Sequence, residues 1–194
     1  MPDTLPFDPT RLKFGVGQPV PRSEDPILLT GRARYTDDIA LPGQAWCVMV
    51  RSPYAHGVIK GIETEAAKEV PGVVGVFTGA DLEGHGYGYM RCVLPLKNAD
   101  GTPLRNIDRP SLAMDKVRFV GDPVAFVVAE TKQAARDGAE AVFVDIDVLP
   151  AVTEASAAAA PGAPQLYDHL PGNVCLDFHY GEAEKVAAAF AASP

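Results

Sequence analysis

The chain has 194 residues, of which 47% are hydrophobic and 22% charged, an ordinary globular composition with length for one large domain or two small ones. A formal net charge of -8 argues against a surface that tracks phosphates, because such a surface needs clustered Lys and Arg to displace counterions. No run of about 18 apolar residues occurs, and the N-terminus has neither a basic start nor a small-residue cleavage site, so a soluble cytoplasmic protein without membrane insertion is the simplest expectation.

Residues 1–22 carry Pro2, Pro6, Pro9, Pro19 and Pro21 with little periodicity and read as an extended arm. Ser23 is an N-cap candidate for a short helix with Glu24 and Asp25 in its first turn, and Gly31 is its natural stop. The runs QAWCVMVRS and HGVIKGIET, with Pro53 between them, predict two strands. Thr64 opens a short helical segment in which Ala66, Ala67 and Val70 share a face, Pro71-Gly72 ends it, and VVGVFTG reads as a buried strand. Residues 83–111 are irregular, with a hairpin tip or long loop at Asn98-Ala99-Asp100-Gly101.

VRFVGDPVAFVVAE then reads as two short strands around a Gly121-Asp122-Pro123 turn. Thr131 opens a helix whose Ala134, Ala135, Gly138 and Ala141 form a small-residue stripe suited to lying close to a sheet. VFVDIDVL alternates as a strand with one buried face, and Pro150 ends it. An Ala- and Pro-rich linker leads to an expected last strand near 173–180. A final helix from Glu182 places Ala183, Val186, Ala187 and Phe190 at i, i+3, i+4 and i+7. Residues 44–148 are thus expected to form a mixed sheet with the helices near 64–70 and 131–141 packed on it.

Signals for chemistry are sparse. There is no phosphate-binding GxxxxGK[ST] loop, and the cluster Gly84-His85-Gly86-Tyr87-Gly88 is not followed by a predicted helix whose amides would hold a phosphate. No GxSxG elbow is present. His56, His85, His169 and His179 lack the spacing that puts two imidazoles on one helical face. Cys47, Cys92 and Cys175 are too scattered for a CxxC pair and are expected to be reduced, buried thiols. In Arg51-Ser52-Pro53-Tyr54-Ala55-His56, Arg51 suits a loop recognising an acid or a cofactor phosphate, but a turn whose polar side chains cap backbone groups is the simpler reading. Asp122 likewise reads as a turn former before it reads as an acid-base group, and Asp145 with Asp147 as a solvated strand face before a metal site. No catalytic, cofactor-binding or metal-ligating residue is assigned from these signals.

Three ordered stretches carry a resemblance: GQPVPRSEDPILLTGRARYTDDI; then VRSPYAHGVIKGIET with EVPGVVGVFTGADL; then VRFVGDPVAFVVAETKQAARDGAEAVFVDIDVLPAV. From about Gly17 to Val152 the chain resembles the opening of molybdenum hydroxylase large subunits, the family of xanthine dehydrogenase, aldehyde oxidase and aerobic carbon monoxide dehydrogenase, most of all the last branch. The resemblance implies an α+β domain of the a/b hammerhead type over 23–152, after an arm over 1–22 and before a linker and the start of a molybdopterin-binding region over 153–194. Asp122 and Gly57 stand where relatives often carry Glu and Ala.

In such a protein the molybdopterin contacts and the catalytic glutamate belong to a larger region that follows, and iron-sulfur clusters and FAD sit on other domains or subunits. This chain itself is expected to carry no molybdenum, iron or flavin, to be inactive alone, and to serve as scaffold and subunit contact. Its partners would be the remainder of the large subunit and the iron-sulfur and FAD subunits. With those absent, the arm and the Val186 and Phe190 face would be bare, and a homo-oligomer or a disordered end is expected. The competing expectation is a stand-alone hammerhead binding or assembly module without redox activity.

Overall fold

The computed structural model describes residues 21–193. The expected arm over 1–22 falls almost wholly outside them. The chain divides into two compact units, one ending at Gln44 and one beginning at Ala45.

In the described part of the first unit, α1 spans Asp25–Leu29. It starts later than the Ser23 cap implies. Pro26 occupies the first turn, where a missing N–H costs nothing, and the Asp25 carboxylate reaches back to the Arg22 N–H at 3.1 Å. Gly31, with φ +68°, supplies the left-handed stop. A 3-10 turn at Thr36–Asp38 follows, fixed by the Tyr35 N–H donating to the Asp38 carboxylate at 2.8 Å.

The second unit holds six strands: β1 (Trp46–Arg51), β2 (Gly57–Glu63), β3 (Val73–Thr78), β4 (Lys116–Val117), β5 (Pro123–Ala129) and β6 (Phe143–Val148). Its helices are α2 (Glu65–Lys68), α3 (Gly79–Gly84), α4 (Lys132–Ala141), α5 (Ala155–Ala158) and α6 (Ala183–Ala191). The expected mixed sheet resolves into two three-stranded sheets, ordered β1-β5-β3 and β4-β2-β6, in which every pairing is antiparallel. The two strands around Gly121-Asp122-Pro123 are therefore not a hairpin, since β4 lies in one sheet and β5 in the other. The expected strand over 173–180 is absent: this stretch is a 3-10 turn at Pro171–Asn173 followed by irregular chain.

The core follows from the strand period. Val124, Ala125, Val127 and Ala129 of β5 are buried. Val127 and Ala125 meet Ala67 of α2, Val76 and Val142, while Val124 meets Val117 and the Ile59, Ile62 and Ile146 side chains of the second sheet. Ala134 and Ala135 of α4 pack on Ala129, with Trp46, Val48 and Val73 around them. The Thr131 hydroxyl accepts the Ala134 N–H at 3.1 Å, the cap that starts α4 where the sequence places it. Gly138 lets the helix approach closely, for a Cβ there would stand 2.9 Å from both Val127 and Val73.

The alternate residues of the first sheet point away from this core. Cys47 and Met49 are exposed on β1, and Phe77 stacks on Phe126 with centroids 5.0 Å apart. The thiols are free, but Cys47 and Cys92 are exposed and not buried, Cys47 because strand alternation turns it outward from the helices.

Candidate functional site

Two places in the second unit bring polar side chains together: a seam where two of the sheet-to-sheet connections meet, and a groove beside it. Successive strands alternate between the sheets, and the connection over Ser52–His56, between β1 and β2, lies against the one over Arg118–Asp122, between β4 and β5. The crossings are tied together. The Ser52 N–H donates to the Asp122 carbonyl at 2.9 Å, the Gly121 N–H to the Ser52 carbonyl at 2.8 Å, and the Arg51 guanidinium to the Gly121 carbonyl at 2.9 Å. Gly121 adopts φ +89°, a conformation that residues with a Cβ rarely adopt. The Ser52 hydroxyl folds the next turn by accepting the Tyr54 N–H and donating to the Tyr54 carbonyl, both at 3.0 Å.

His56 is 4% exposed and its Nδ1 lies 2.9 Å from the Pro150 carbonyl. A carbonyl only accepts, so Nδ1 is the donor in this bond, and the other ring nitrogen is Nε2. That Nε2 is buried and has no hydrogen-bond partner among the described residues. The Leu149 N–H donates to the His56 carbonyl at 3.0 Å, so His56 holds the end of β6 through both backbone and ring. Asp122 is 8% exposed, and its carboxylate accepts the Arg118 N–H at 2.9 Å. Burial pushes the Asp122 carboxyl above its ordinary range, against the pull of that N–H and of the Arg109 and Arg118 charges.

Gly57 follows directly. A Cβ there would collide with Ile146 Cγ2 and stand 3.0 Å from the Asp147 carbonyl oxygen, so an alanine requires Ile146 to move.

Beside the crossing lies an open groove of about 570 Å³ walled by Met90, Ile107, Phe119, Leu166 and Tyr167. Arg118 stacks 4.5 Å over the Tyr167 ring. Its guanidinium donates to both Asp115 oxygens at 3.2 and 3.1 Å, and to the Lys116 and Leu166 carbonyls. Burial alone would raise the Asp115 carboxyl, but Arg118 and nearby amides outweigh it and hold it below the usual range. Sequence reasoning missed this groove, because Tyr167 and Arg118 are brought together from segments about 50 residues apart with no shared motif.

The remaining polar residues do not converge. Asp145 and Asp147 are exposed on the edge strand β6, His85 bonds the Asp81 carbonyl at 2.7 Å, and His169 packs edge-on to Tyr167. Among the described residues no three His, Cys, Asp or Glu side chains come together as a metal requires.

A family model described as "Aldehyde oxidase and xanthine dehydrogenase, a/b hammerhead domain" matches residues 30–150. The chain belongs to this family. Residues 30–150 are its a/b hammerhead domain. Sequence identity is 39% over 168 residues to the nicotine 6-hydroxylase large subunit of Paenarthrobacter nicotinovorans, covering 87% of this chain and 20% of that one. It is 38% over 156 residues to the carbon monoxide dehydrogenase large chain of Afipia carboxidovorans, covering 80% and 18%. Among solved structures, quinoline 2-oxidoreductase from Pseudomonas putida 86 superposes with a TM-score of 0.69 at 37% identity, over 80% of this chain and 19% of that one. The Cu,Mo-CO dehydrogenase does so with a TM-score of 0.65 at 34% identity, over 89% and 22%.

The chain thus spans about a fifth of the length of these relatives. The hammerhead class expected from the sequence is the class found. Molybdenum is named in the descriptions of the Cu,Mo-CO dehydrogenase and of a further relative, the xanthine dehydrogenase molybdenum-binding subunit of Escherichia coli O157:H7. The donor set described above does not fit a molybdenum centre, so no chemical step is assigned to these residues. No helix among the described residues is long and apolar enough to cross a membrane.

Proposed function

We propose that this hammerhead domain is the opening scaffold of a cytoplasmic molybdenum hydroxylase, with the extended arm over 1–22 before it and the start of the molybdopterin-binding region over 153–194 after it. The observation that carries the reading is the family match over 30–150, joined to relatives about five times the chain's length. In the full protein, molybdopterin would supply oxidation of a carbon centre with oxygen from water, and iron-sulfur clusters and FAD on partner subunits or domains would take the electrons. The residues of this domain would take no part in that step. Their work would be positional: the tied crossings at Ser52 and Asp122 hold the two sheets in register, and the His56 bond to Pro150 fixes where the chain leaves β6 toward the following region.

Carbon monoxide is one substrate consistent with the relatives, and a second reading, an N-heteroaromatic ring, is favoured by the nicotine 6-hydroxylase and quinoline 2-oxidoreductase matches. The test is to purify the protein from its source cells with whatever subunits accompany it, measure its metal content, and follow dye reduction with carbon monoxide and with a panel of N-heteroaromatics. Stoichiometric molybdenum with turnover of one class supports the proposal. A chain of 20.5 kDa that carries no molybdenum and has no redox partner would instead establish a stand-alone module.

A further inference from the structure

We propose that residues 158–177 form a strap that comes off the hammerhead domain as one body, with Arg118 as its latch. The strap braces itself. Asn173 turns back through φ +57°, and its side chain gathers three points of the segment: Oδ1 accepts the Leu166 N–H, and Nδ2 donates to the Ala158 and Pro164 carbonyls, all at 2.9 Å. The Leu170 and Asn173 N–H groups close two further turns inside the strap, onto the Tyr167 and Leu170 carbonyls at 3.0 and 3.1 Å. None of these bonds uses a residue of the sheets, so the strap keeps them when it moves.

Its attachments are few. Neither three-stranded sheet includes a strap residue, and Leu170 is the one buried side chain that the strap brings. The polar attachments come from 98–118. Arg105 donates to the Val174 carbonyl at 3.3 Å, Lys116 meets the Asp168 carboxylate at 3.3 Å, and Arg118 Nε donates to the Leu166 carbonyl at 3.2 Å while its guanidinium lies 4.5 Å over the Tyr167 ring. Bonds involving the backbone hold only the far end, from the Arg105 N–H to the Cys175 carbonyl, from the Ala99 N–H to the Asp177 carbonyl, and from the Asp177 N–H to Asn98 Oδ1. Segments attached so sparsely open with far smaller free energies than the core they lie on.

Arg118 sets how firmly the strap is held. The Lys116–Asp168 pair is a single contact whose carboxylate is exposed, and such pairs hold weakly. The Arg118 side chain is largely buried and works in two directions. Toward the domain it donates to both Asp115 oxygens and the Lys116 carbonyl, and toward the strap it takes the Leu166 carbonyl and the Tyr167 ring. Its backbone N–H is bound to the Asp122 carboxylate, so the residue that grips the strap also sits on the seam between the crossings. Through this one residue the position of the strap, and of the chain after Asp177, is coupled to the seam.

Cys175, partly buried within the strap, reports its release, and the exposed Cys47 on β1 is the control. Alkylation of both by iodoacetamide is followed by peptide mass spectrometry in the purified protein below its denaturation midpoint. Cys175 should react well before global unfolding, and Arg118→Lys should speed it about tenfold, because lysine keeps the charge but neither the planar fork nor the stacking face. Tyr167→Ala, which leaves Arg118 on Asp115, should speed it as well, and the double variant should react no faster than Arg118→Lys alone. In wild type the Ala99 and Arg105 amides should exchange together with Cys175 exposure, while the Leu166 amide, held by Asn173, stays protected for longer. Cys47 and the Val127 and Ala135 amides should not change in either variant.

Cys175 that reacts only on global unfolding, or equally in wild type and both variants, overturns the proposal. Additive effects of the two substitutions also overturn it, since they would act through separate contacts. Exchange of Leu166 ahead of Ala99 and Arg105 would mean fraying piece by piece and not release of one body. A change at Cys47 or in α4 would mark Arg118→Lys as globally unfolded, and Tyr167→Ala then decides alone.

Discussion

Where α4 lies on the first sheet, contact is made by residues with almost no side chain: Ala134, Ala135 and Gly138 against Val73, Val127 and Ala129. The stretch from His85 to Pro110 is built differently. It has only two isolated bridges, Met90 with Arg109 and Lys97 with Pro103, and is pinned from outside by the 174–177 segment through single hydrogen bonds. Close packing is an arrangement of neighbours within elements, and it leaves a periodic trace in sequence. A clasp between distant irregular segments leaves none. The first region should therefore fail through volume, the second through loss of an anchor, and each can be tested alone.

The largest effect is expected at Leu170, 1% exposed within the post-hammerhead segment. Leu170→Ala should cost about 2 to 5 kcal/mol locally. Hydrogen exchange should show it as lost protection at Ala99, Arg105 and Asp177 with α4 unchanged, and simultaneous loss in α4 would erase the distinction between the regions. Gly138→Val should act the other way, overpacking α4 against Val127 and Val73 at about 1 to 3 kcal/mol, seen as a lower denaturation midpoint while the 98–105 amides stay protected until global unfolding. Thr131→Ala removes the α4 cap at about 1 kcal/mol, and Thr131→Asp should recover most of it.

The smallest effect is a matter of pH at the seam between the regions. Asp122 is raised in the folded protein, so it binds its proton more readily folded than unfolded, and the stability linked to that proton is lost as pH rises through its folded value. Asp115 is lowered, and its contribution, present above the ordinary aspartate value of about 4, is lost below it as pH falls through the lowered folded value. Comparing wild type with Asp122→Asn between neutral pH and pH of about 4, wild type should gain on the variant as the solution is acidified. A gap that widens against wild type would mean that the carboxylate is stabilising as an anion.

Much of the core was legible. Thr131 and the small-residue stripe located α4, and alternation located β5 and β6. The α3 helix was missed although Thr78-x-x-Asp81 marks it: the Thr78 N–H and hydroxyl both donate to the Asp81 carboxylate at 2.7 Å. The separation into two sheets was not legible, because period-2 patterning says which face is buried and not which strand lies alongside. The strand expected over 173–180 failed for a related reason. Its β-prone residues have no strand beside them, and Cys175 and Asp177 meet instead the loop at 98–105. Arg51 and Asp122 were read as turn residues, and the structure places both on backbone groups of the crossing. What the sequence could not show is that two separate crossings meet, with Arg51 of the first bonded to the Gly121 carbonyl of the second.

The pairing list has a further consequence for how the chain comes into being. Every strand pair, β1 with β5, β3 with β5, β2 with β4 and β2 with β6, joins a strand before Gly79 to one after Asp115. No two strands of the first half touch each other as partners, and neither do any two of the second. During synthesis, then, the three strands that emerge first have nothing to pair with until β4 and β5 leave the ribosome. Closing the long connection between the halves is the obligatory early event, and non-local closure of this kind slows folding. The same arrangement makes the domain divisible: two polypeptides separated within the 85–111 stretch would each be unstructured alone and would have to find each other to make any sheet at all.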